Sequence, residues 1–163
     1  MKYEGKNIGI LGLGKSGYWS AKLAKSLNNN VFVSDSNENI NQIFIDDLKM
    51  LGVELEIGVH SNQILKSDII IKSPGIPNNS KILRKINAER IPVISEIEFA
   101  GNLSKSKNIC ITGTNGKTTT VSLLTDILST QKKFLSLAIL VFRSQKLYLK
   151  IDCMKKMKLI FVF

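Results

Sequence analysis

The stretch Ile109–Thr120, ICITGTNGKTTT, constrains the fold more than any other part of the chain. A β-branched run leads into two glycines, a lysine and a row of hydroxyls, so a strand must give way to a tight loop and then to a helix. That unit belongs to α/β architecture. Gly113 and Gly116 lack the Cβ that would hold the backbone away, so several main-chain N–H groups can converge on one anion. Lys117 adds a compact charge able to reach the β- and γ-phosphates of a nucleotide, and Thr118 offers a hydroxyl of the kind Mg²⁺ takes as a ligand. A helix over 118–129 turns its positive dipole end toward the same place. The spelling departs from GxxxxGK[ST], which needs glycine where Ile111 stands, and fits the shorter GTNGKTT.

The chain before this stretch reads as strands alternating with helices. Ile8–Leu11 is a short apolar run ending in Gly12, Gly14 and Gly17, a literal GxGxxG. Trp19, Leu23, Ala24 and Leu27 follow at helical spacing, then a turn at Asn28–Asn30, a second strand at Val31–Val33, and Asp35. This is a βαβ nucleotide-binding unit whose acid is placed to meet a ribose or similar hydroxyl, and the ligand is left open. Ile40, Ile43, Phe44, Leu48 and Leu51 mark a second helix, stopped by Gly52, and VELEI at Val53–Ile57 marks a third strand. His60 falls in the following connection and is assigned no role; a lone loop histidine is more often solvated than catalytic. Asp68–Lys72 has the continuous apolar run of a buried parallel strand and leads into Ser73-Pro74-Gly75-Ile76-Pro77. Ser80–Glu89 is a helix, Pro92–Ile94 begins a fifth strand, and Ser95 caps a helix ending near Gly101. In an open parallel sheet, ligands sit beyond the carboxyl ends of the strands, where the glycine loop, Asp35 and Ser73–Gly75 would all lie.

These elements predict an α/β protein: a Rossmann-like, mainly parallel five-stranded domain over 1–101, a linker over 102–107 (NLSKSK), and the start of a P-loop ATPase domain over 108–135. With two cysteines, no signal peptide and no apolar run long enough to span a bilayer, a reducing cytoplasm is the expected setting. Cys110 reads as a core residue of its strand, and Cys153 lies near the end.

The net charge of +10 suggests nucleic acid, but its distribution argues otherwise. Residues 131–163 hold eight Lys/Arg against one Asp/Glu, a net of +7, whereas residues 1–130 have a net of +3. All 11 glycines and all 3 prolines precede residue 131. A domain still alternating strands and helices should keep using turn residues, so the change near Gln131 is too abrupt for an ordinary continuation.

The order GLGKSG, an acid after the second strand, SPGIP, SEIE and then ITGTNGKTTT resembles the Mur ligases of peptidoglycan synthesis, over residues 2 to about 135. The likeness is strongest to members that add D-glutamate to UDP-N-acetylmuramoyl-L-alanine. The resemblance implies that Gly14, Lys15 and Ser16, Asp35 and Ser36, and Ser73, Pro74 and Gly75 contact the uridine diphosphate. It implies that Gly113, Thr114, Asn115, Gly116, Lys117, Thr118 and Thr119 cradle the phosphates of ATP, with Lys117 on the transferring phosphoryl and Thr118 on Mg²⁺. The implied reaction is phosphorylation of a substrate carboxylate, then attack of the D-glutamate amine on the acyl phosphate. The loop's share is electrostatic, neutralising charge on the moving phosphoryl group. An NAD-dependent oxidoreductase would also use GxGxxG with Asp35 but has no evident need of a second phosphate loop. A non-catalytic UDP-sugar or dinucleotide-binding module is the alternative of another class. No nucleic-acid or membrane partner is expected.

Beyond the loop and its helix, the family pattern of a GNIG-type loop, a metal-binding glutamate, a histidine and a modified lysine is absent. Ala138–Val141 can be encoded by GCA ATA TTG GTN, and the same bases read one position earlier, after a G, spell Gly-Asn-Ile-Gly. Residues 136–163 are therefore expected to be an aberrant, frameshifted basic tail without designed geometry, and residues 131–163 to be poorly ordered or prone to aggregate. The chain as it stands is expected to have little or no ligase activity.

Overall fold

The computed structural model describes residues 3–103, 109–111, 113–129, 137–141 and 158–162. The chain divides into two compact units, Met1–Phe99 and Ala100–Phe163.

In the first unit β1 (Asn7–Leu11), β2 (Asn30–Asp35), β3 (Glu54–Ile57), β4 (Ile69–Lys72) and β5 (Val93–Ser95) form one sheet in the order β3-β2-β1-β4-β5. Every pairing is parallel, with Ile10 beside Val33 on one side and Ile71 on the other. The central strands are apolar throughout because both faces are covered. Ile8 and Ile10 point one way and Gly9 and Leu11 the other, as the pleat requires. Ile10, Leu11, Val33 and Ile70 are all fully buried. The cluster on one face joins Leu11 and Ile70 to Ile64 of a 3₁₀ turn (Asn62–Lys66) and to Ile82, Leu83 and Ile86 of α3 (Lys81–Ala88). A Cβ at Gly9 would lie 2.6 Å from Ser67 Oγ, so glycine lets this turn settle on the sheet.

Polar side chains fix where the helices begin. Before α2 (Gln42–Met50), Asn41 Oδ1 accepts the Ile43 amide at 3.0 Å. Before α4 (Glu96–Leu103), Ser95 Oγ accepts the Glu98 amide at 3.1 Å, the hydroxyl half of a capping box. The first helix, α1 (Lys15–Ser26), has only Gly14 at its cap, with no side-chain bond. Its first-turn amides are left to another acceptor. α4 runs to Leu103, so the linker expected from residue 102 begins as helix; the rest of it lies outside the described residues.

In the second unit β6 (Ile109–Ile111) leads through Gly113–Gly116 into α5 (Lys117–Ser129). Two further strands, β7 (Leu137–Val141) and β8 (Lys158–Val162), join it in a parallel sheet ordered β6-β8-β7. The segment expected to lack designed geometry thus contributes two strands. LAILV and KLIFV are the apolar, β-prone runs that a parallel sheet accepts, whatever surrounds them. The burial expected of Cys110 and the placement of Cys153 lie outside what is described.

Candidate nucleotide site

The strand order reverses between β1 and β4, and there the loops that leave them must diverge and open a crevice. The glycine loop after β1 is built by contacts that Gly12 and Gly17 make possible. Gly12, at φ +97°, donates its amide to Ser34 O at 2.9 Å. A Cβ on Gly17 would stand 1.9 Å from Gly12 O, so only glycine allows α1 to start so close to the loop. Gly14 differs: its φ of −77° suits any residue and a Cβ there meets nothing within 4 Å. Neither packing nor backbone conformation requires glycine at position 14, which leaves room for a ligand beside the open helix start.

Asp35, at the end of β2, closes the loop from the side. One carboxylate oxygen accepts the Leu13 amide at 2.5 Å and the other accepts the Asn37 amide at 2.8 Å. The acid expected to face a ribose hydroxyl is therefore first a clamp on backbone, with lone pairs remaining on both oxygens. Ser73 is buried under the same loop, and its hydroxyl donates to Gly12 O at 3.2 Å. Ser16 Oγ lies 3.5 Å from Ser73 Oγ. Ser36, Pro74 and Gly75 are exposed.

An open pocket of about 390 Å³ lies against this loop, walled by Leu13, Gly14, Lys15 and Asp35. The structure thus gathers Gly14, Lys15 and Asp35 into one cavity, while Ser73, which bonds Gly12 of the same loop, and Ser16, Ser36, Pro74 and Gly75 do not line it. The rest of the wall, Asn37, Asn39, Ile40, Asn41 and Phe44, was not marked in the sequence as a ligand surface. The alternating asparagines of 37–41 were the available signal, since such residues fold a loop on itself. Asn37 Oδ1 does so by accepting the Asn39 amide at 3.0 Å.

His60 is not the solvated loop residue expected. It is half-buried, with Nδ1 2.7 Å from Ser34 Oγ. Ser34 and Glu56 are register partners on β2 and β3, and the Ser34 hydroxyl is 2.8 Å from Glu56 Oε2, which also accepts the Ser61 amide at 2.9 Å. A hydroxyl has one proton, so if Ser34 gives it to Glu56 the histidine must carry its hydrogen on Nδ1. Burial works to raise the Glu56 carboxyl, but hydrogen bonds from Ser61 and Ser34 and the nearby His60 outweigh it and hold the group below the usual carboxylate range. A depressed carboxyl stabilises the fold above its unfolded value and loses that contribution as the pH falls through the folded one. Glu96 runs the other way: burial raises it, against its own backbone hydrogen bond and Lys72. Glu56→Gln is expected to lower the unfolding midpoint near neutral pH and to flatten its acid limb. Denaturation of both proteins from neutral to acid pH measures this, and equal acid slopes would remove Glu56 from the account.

In the second unit, Gly113 and Gly116 take φ values of +155° and +74°. The Lys117 ammonium donates to Gly113 O and, at 3.1 Å, to Thr114 O. Thr120 donates to Gly116 O at 2.9 Å, so the amides of Lys117, Thr118 and Thr119 are the first-turn donors without an intrahelical acceptor. Gly113, Thr114, Asn115, Thr118 and Thr119 are exposed, and a Cβ on Gly116 would meet nothing within 4 Å. Free amides, a lysine within reach and open space fit a polyphosphate. Among the described residues no group of three or more His, Cys, Asp or Glu could hold a metal. Mg²⁺ commonly takes one or two protein oxygens and completes its shell with phosphate and water, a demand the Thr118 hydroxyl fits. No helix among the described residues is long and apolar enough to cross a membrane.

Comparison with known proteins gives this geometry a family. Residues 6–95 match the Mur ligase MurD-like N-terminal domain, and residues 111–157 match the Mur ligase middle domain. The second match continues through the segment expected to be out of frame. The chain is 49% identical over 120 residues to UDP-N-acetylmuramoylalanine--D-glutamate ligase of Bacteroides thetaiotaomicron, covering 73% of this chain and 27% of that protein. It is 39% identical over 138 residues to the enzyme of the same name from Bacillus cytotoxicus, covering 83% and 31%. The chain therefore spans less than a third of the length of these relatives. Among solved structures, a pseudomurein peptide ligase type C from Methanothermus fervidus superposes with a TM-score of 0.54 at 32% identity, over 90% of this chain and 28% of that one. A murein peptide ligase from Psychrobacter arcticus, at 20% identity and TM-score 0.61, shares the fold over 97% of this chain and 37% of that one. A glycine loop at the switch point, an acid clamping it and a strand, glycine turn and helix in the next unit agree with these matches, and the chain belongs to the Mur ligase family, with an N-terminal domain of the MurD-like kind.

Proposed function

We propose that the chain supplies the nucleotide-sugar-binding domain and the opening of the ATP-binding domain of a ligase that joins D-glutamate to UDP-N-acetylmuramoyl-L-alanine. The observation that carries this reading is the pocket in which Gly14, Lys15 and Asp35 meet at the open start of α1. A diphosphate placed there takes the free first-turn amides and the Lys15 charge, with Gly14 giving it close approach. Asp35 shapes the loop and keeps lone pairs for a sugar hydroxyl. Ser73 and Ser16 brace the glycine loop from behind Gly12.

In the second unit Lys117 would leave its loop carbonyls for the phosphates of ATP, and Thr118 would give a hydroxyl to Mg²⁺. Bound Mg·ATP supplies the phosphoryl group that activates the substrate carboxylate. The residues of this chain bind and orient it and balance its charge. D-glutamate and the completing metal ligands fall to parts of the enzyme beyond the share of the relatives this chain covers. The 163 residues alone are expected to bind nucleotide without ligase turnover, in the aqueous cytoplasm where such substrates are made.

Titration of the whole chain with UDP tests the reading. Wild type is expected to bind UDP and to ignore NADH, and Asp35→Ala to weaken UDP by about tenfold through loss of two charge-assisted bonds. Binding of NADH in preference to UDP would point to an oxidoreductase instead.

A further inference from the structure

At the other end of the same sheet, where β1, β2 and β3 begin, lies a second pocket of about 260 Å³. The connection from β3 to β4 carries only the 3₁₀ turn Asn62–Lys66 in place of a full helix, and the first residues of β2 and β3 stay open on this face. Asn30 and Glu54 are exposed there and Phe32 is half-buried. The pleat decides which side chains meet. Asn7 pairs in register with Asn30, Gly9 with Phe32, and Phe32 with Glu54, so these positions share the face on which Ser67 Oγ lies over Gly9. Phe32 lines the pocket and also packs against the cluster of Leu11, Ile64 and Ile70, which holds its ring in place.

The polar groups around this ring are unevenly spent. Asn7 Oδ1 accepts Asn30 Nδ2 at 3.1 Å, and Glu54 Oε2 accepts Gln63 Nε2 at 2.9 Å, which leaves the second Glu54 oxygen open. The Lys66 ammonium and the Ser67 hydroxyl line the same pocket and have no partner among the described residues. Ser67 is nine-tenths buried, and a hydroxyl so enclosed ordinarily finds a hydrogen bond. Lys66 on the turn and Glu54 on β3 bring opposite charges to one pocket, yet they form no ion pair with each other. Asp68, next to Ser67, takes the Asn7 backbone amide at 2.8 Å and adds a second carboxylate nearby. A polyanion would meet two carboxylates, and a simple amine would meet the ammonium. A ligand carrying one charge of each sign satisfies both, and a volume below the range of drug-sized sites keeps it small.

We propose that this pocket binds a small zwitterion, an α-amino acid with an apolar side chain, its carboxylate on Lys66 and Ser67, its ammonium on Glu54 and its side chain against Phe32. The site is separate from the nucleotide pocket and does not rest on the reading of it.

The test is a titration of the full chain followed by the NMR shifts of its backbone amides, with L-phenylalanine, hydrocinnamate (which lacks the ammonium) and phenethylamine (which lacks the carboxylate) as probes. L-phenylalanine is expected to bind with a Kd on the order of 1 mM and to shift Asn7, Phe32 and Ser67 saturably, and each half-ligand to bind about tenfold more weakly. Lys66→Ala should weaken L-phenylalanine about tenfold and make it no better than phenethylamine; Glu54→Gln should make it no better than hydrocinnamate. Both positions are exposed, so the fold should survive either change, and Lys49→Ala on α2 should bind as wild type does. No saturable shift at about 10 mM L-phenylalanine, half-ligands that bind as well as the amino acid, or shifts confined to Gly14 and Lys15 would each overturn the proposal.

Discussion

Alanine at position 17 is expected to destabilise the first unit by roughly 2–4 kcal/mol. The new Cβ would stand 1.9 Å from Gly12 O, and both sides of that contact are backbone, so no side chain can swing away. Either α1 moves off the sheet or the loop gives up the bond from Gly12 to Ser34 O. Gly14→Ala is the matched control: its added methyl meets nothing in the protein, so its stability should stay within about 0.5 kcal/mol of wild type. Denaturant melts of the two proteins decide the matter. A Gly17→Ala protein as stable as Gly14→Ala would mean that the helix start is not packed as described.

Lys117→Ala is expected to lower the affinity for Mg·ATP about a hundredfold and to leave the unfolding midpoint nearly unchanged. The two halves of that expectation come from one observation. The ammonium rests on two exposed loop carbonyls, where its bonds compete with water and contribute little to folding, yet it stands at the mouth of the loop, where a phosphate would recruit it. Calorimetric titration with Mg·ATP beside a thermal melt separates binding from stability. Unchanged affinity would remove the loop from any nucleotide role.

How much of this was legible beforehand depended on whether a pattern was local. The five strands of the first unit, β6, the glycine loop and the helix after Gly116 were readable, because apolar runs, caps and glycines act on their own neighbours in sequence. Asp35 was found as an acid in register, but its work as a clamp on Leu13 and Asn37 needs the three-dimensional path of the loop. His60 was misread for the same reason: Ser34 and Glu56 become its partners only when β2 and β3 align. Phe44 was read as one apolar position of a helix, which it is, and nothing in the spacing shows that its ring lines a cavity. The segment after 130 was judged by what it lacks, turn residues and acids, while two of its apolar runs retained what a parallel strand requires.

The Asp35 clamp has a consequence for how fast a ligand is captured. A glycine-rich loop free to sample many shapes would spend most of its time unable to receive a diphosphate, and its apparent affinity would fall by the fraction of time it is misformed. Here two backbone amides are tied to one carboxylate and a third to Ser34 O. The mould is cast when the chain folds, and the ordering entropy is charged to folding instead of to each encounter. Capture should then be set by diffusion and the pull of Lys15 on an anion, with the lifetime of the complex carrying the differences between one nucleotide and another.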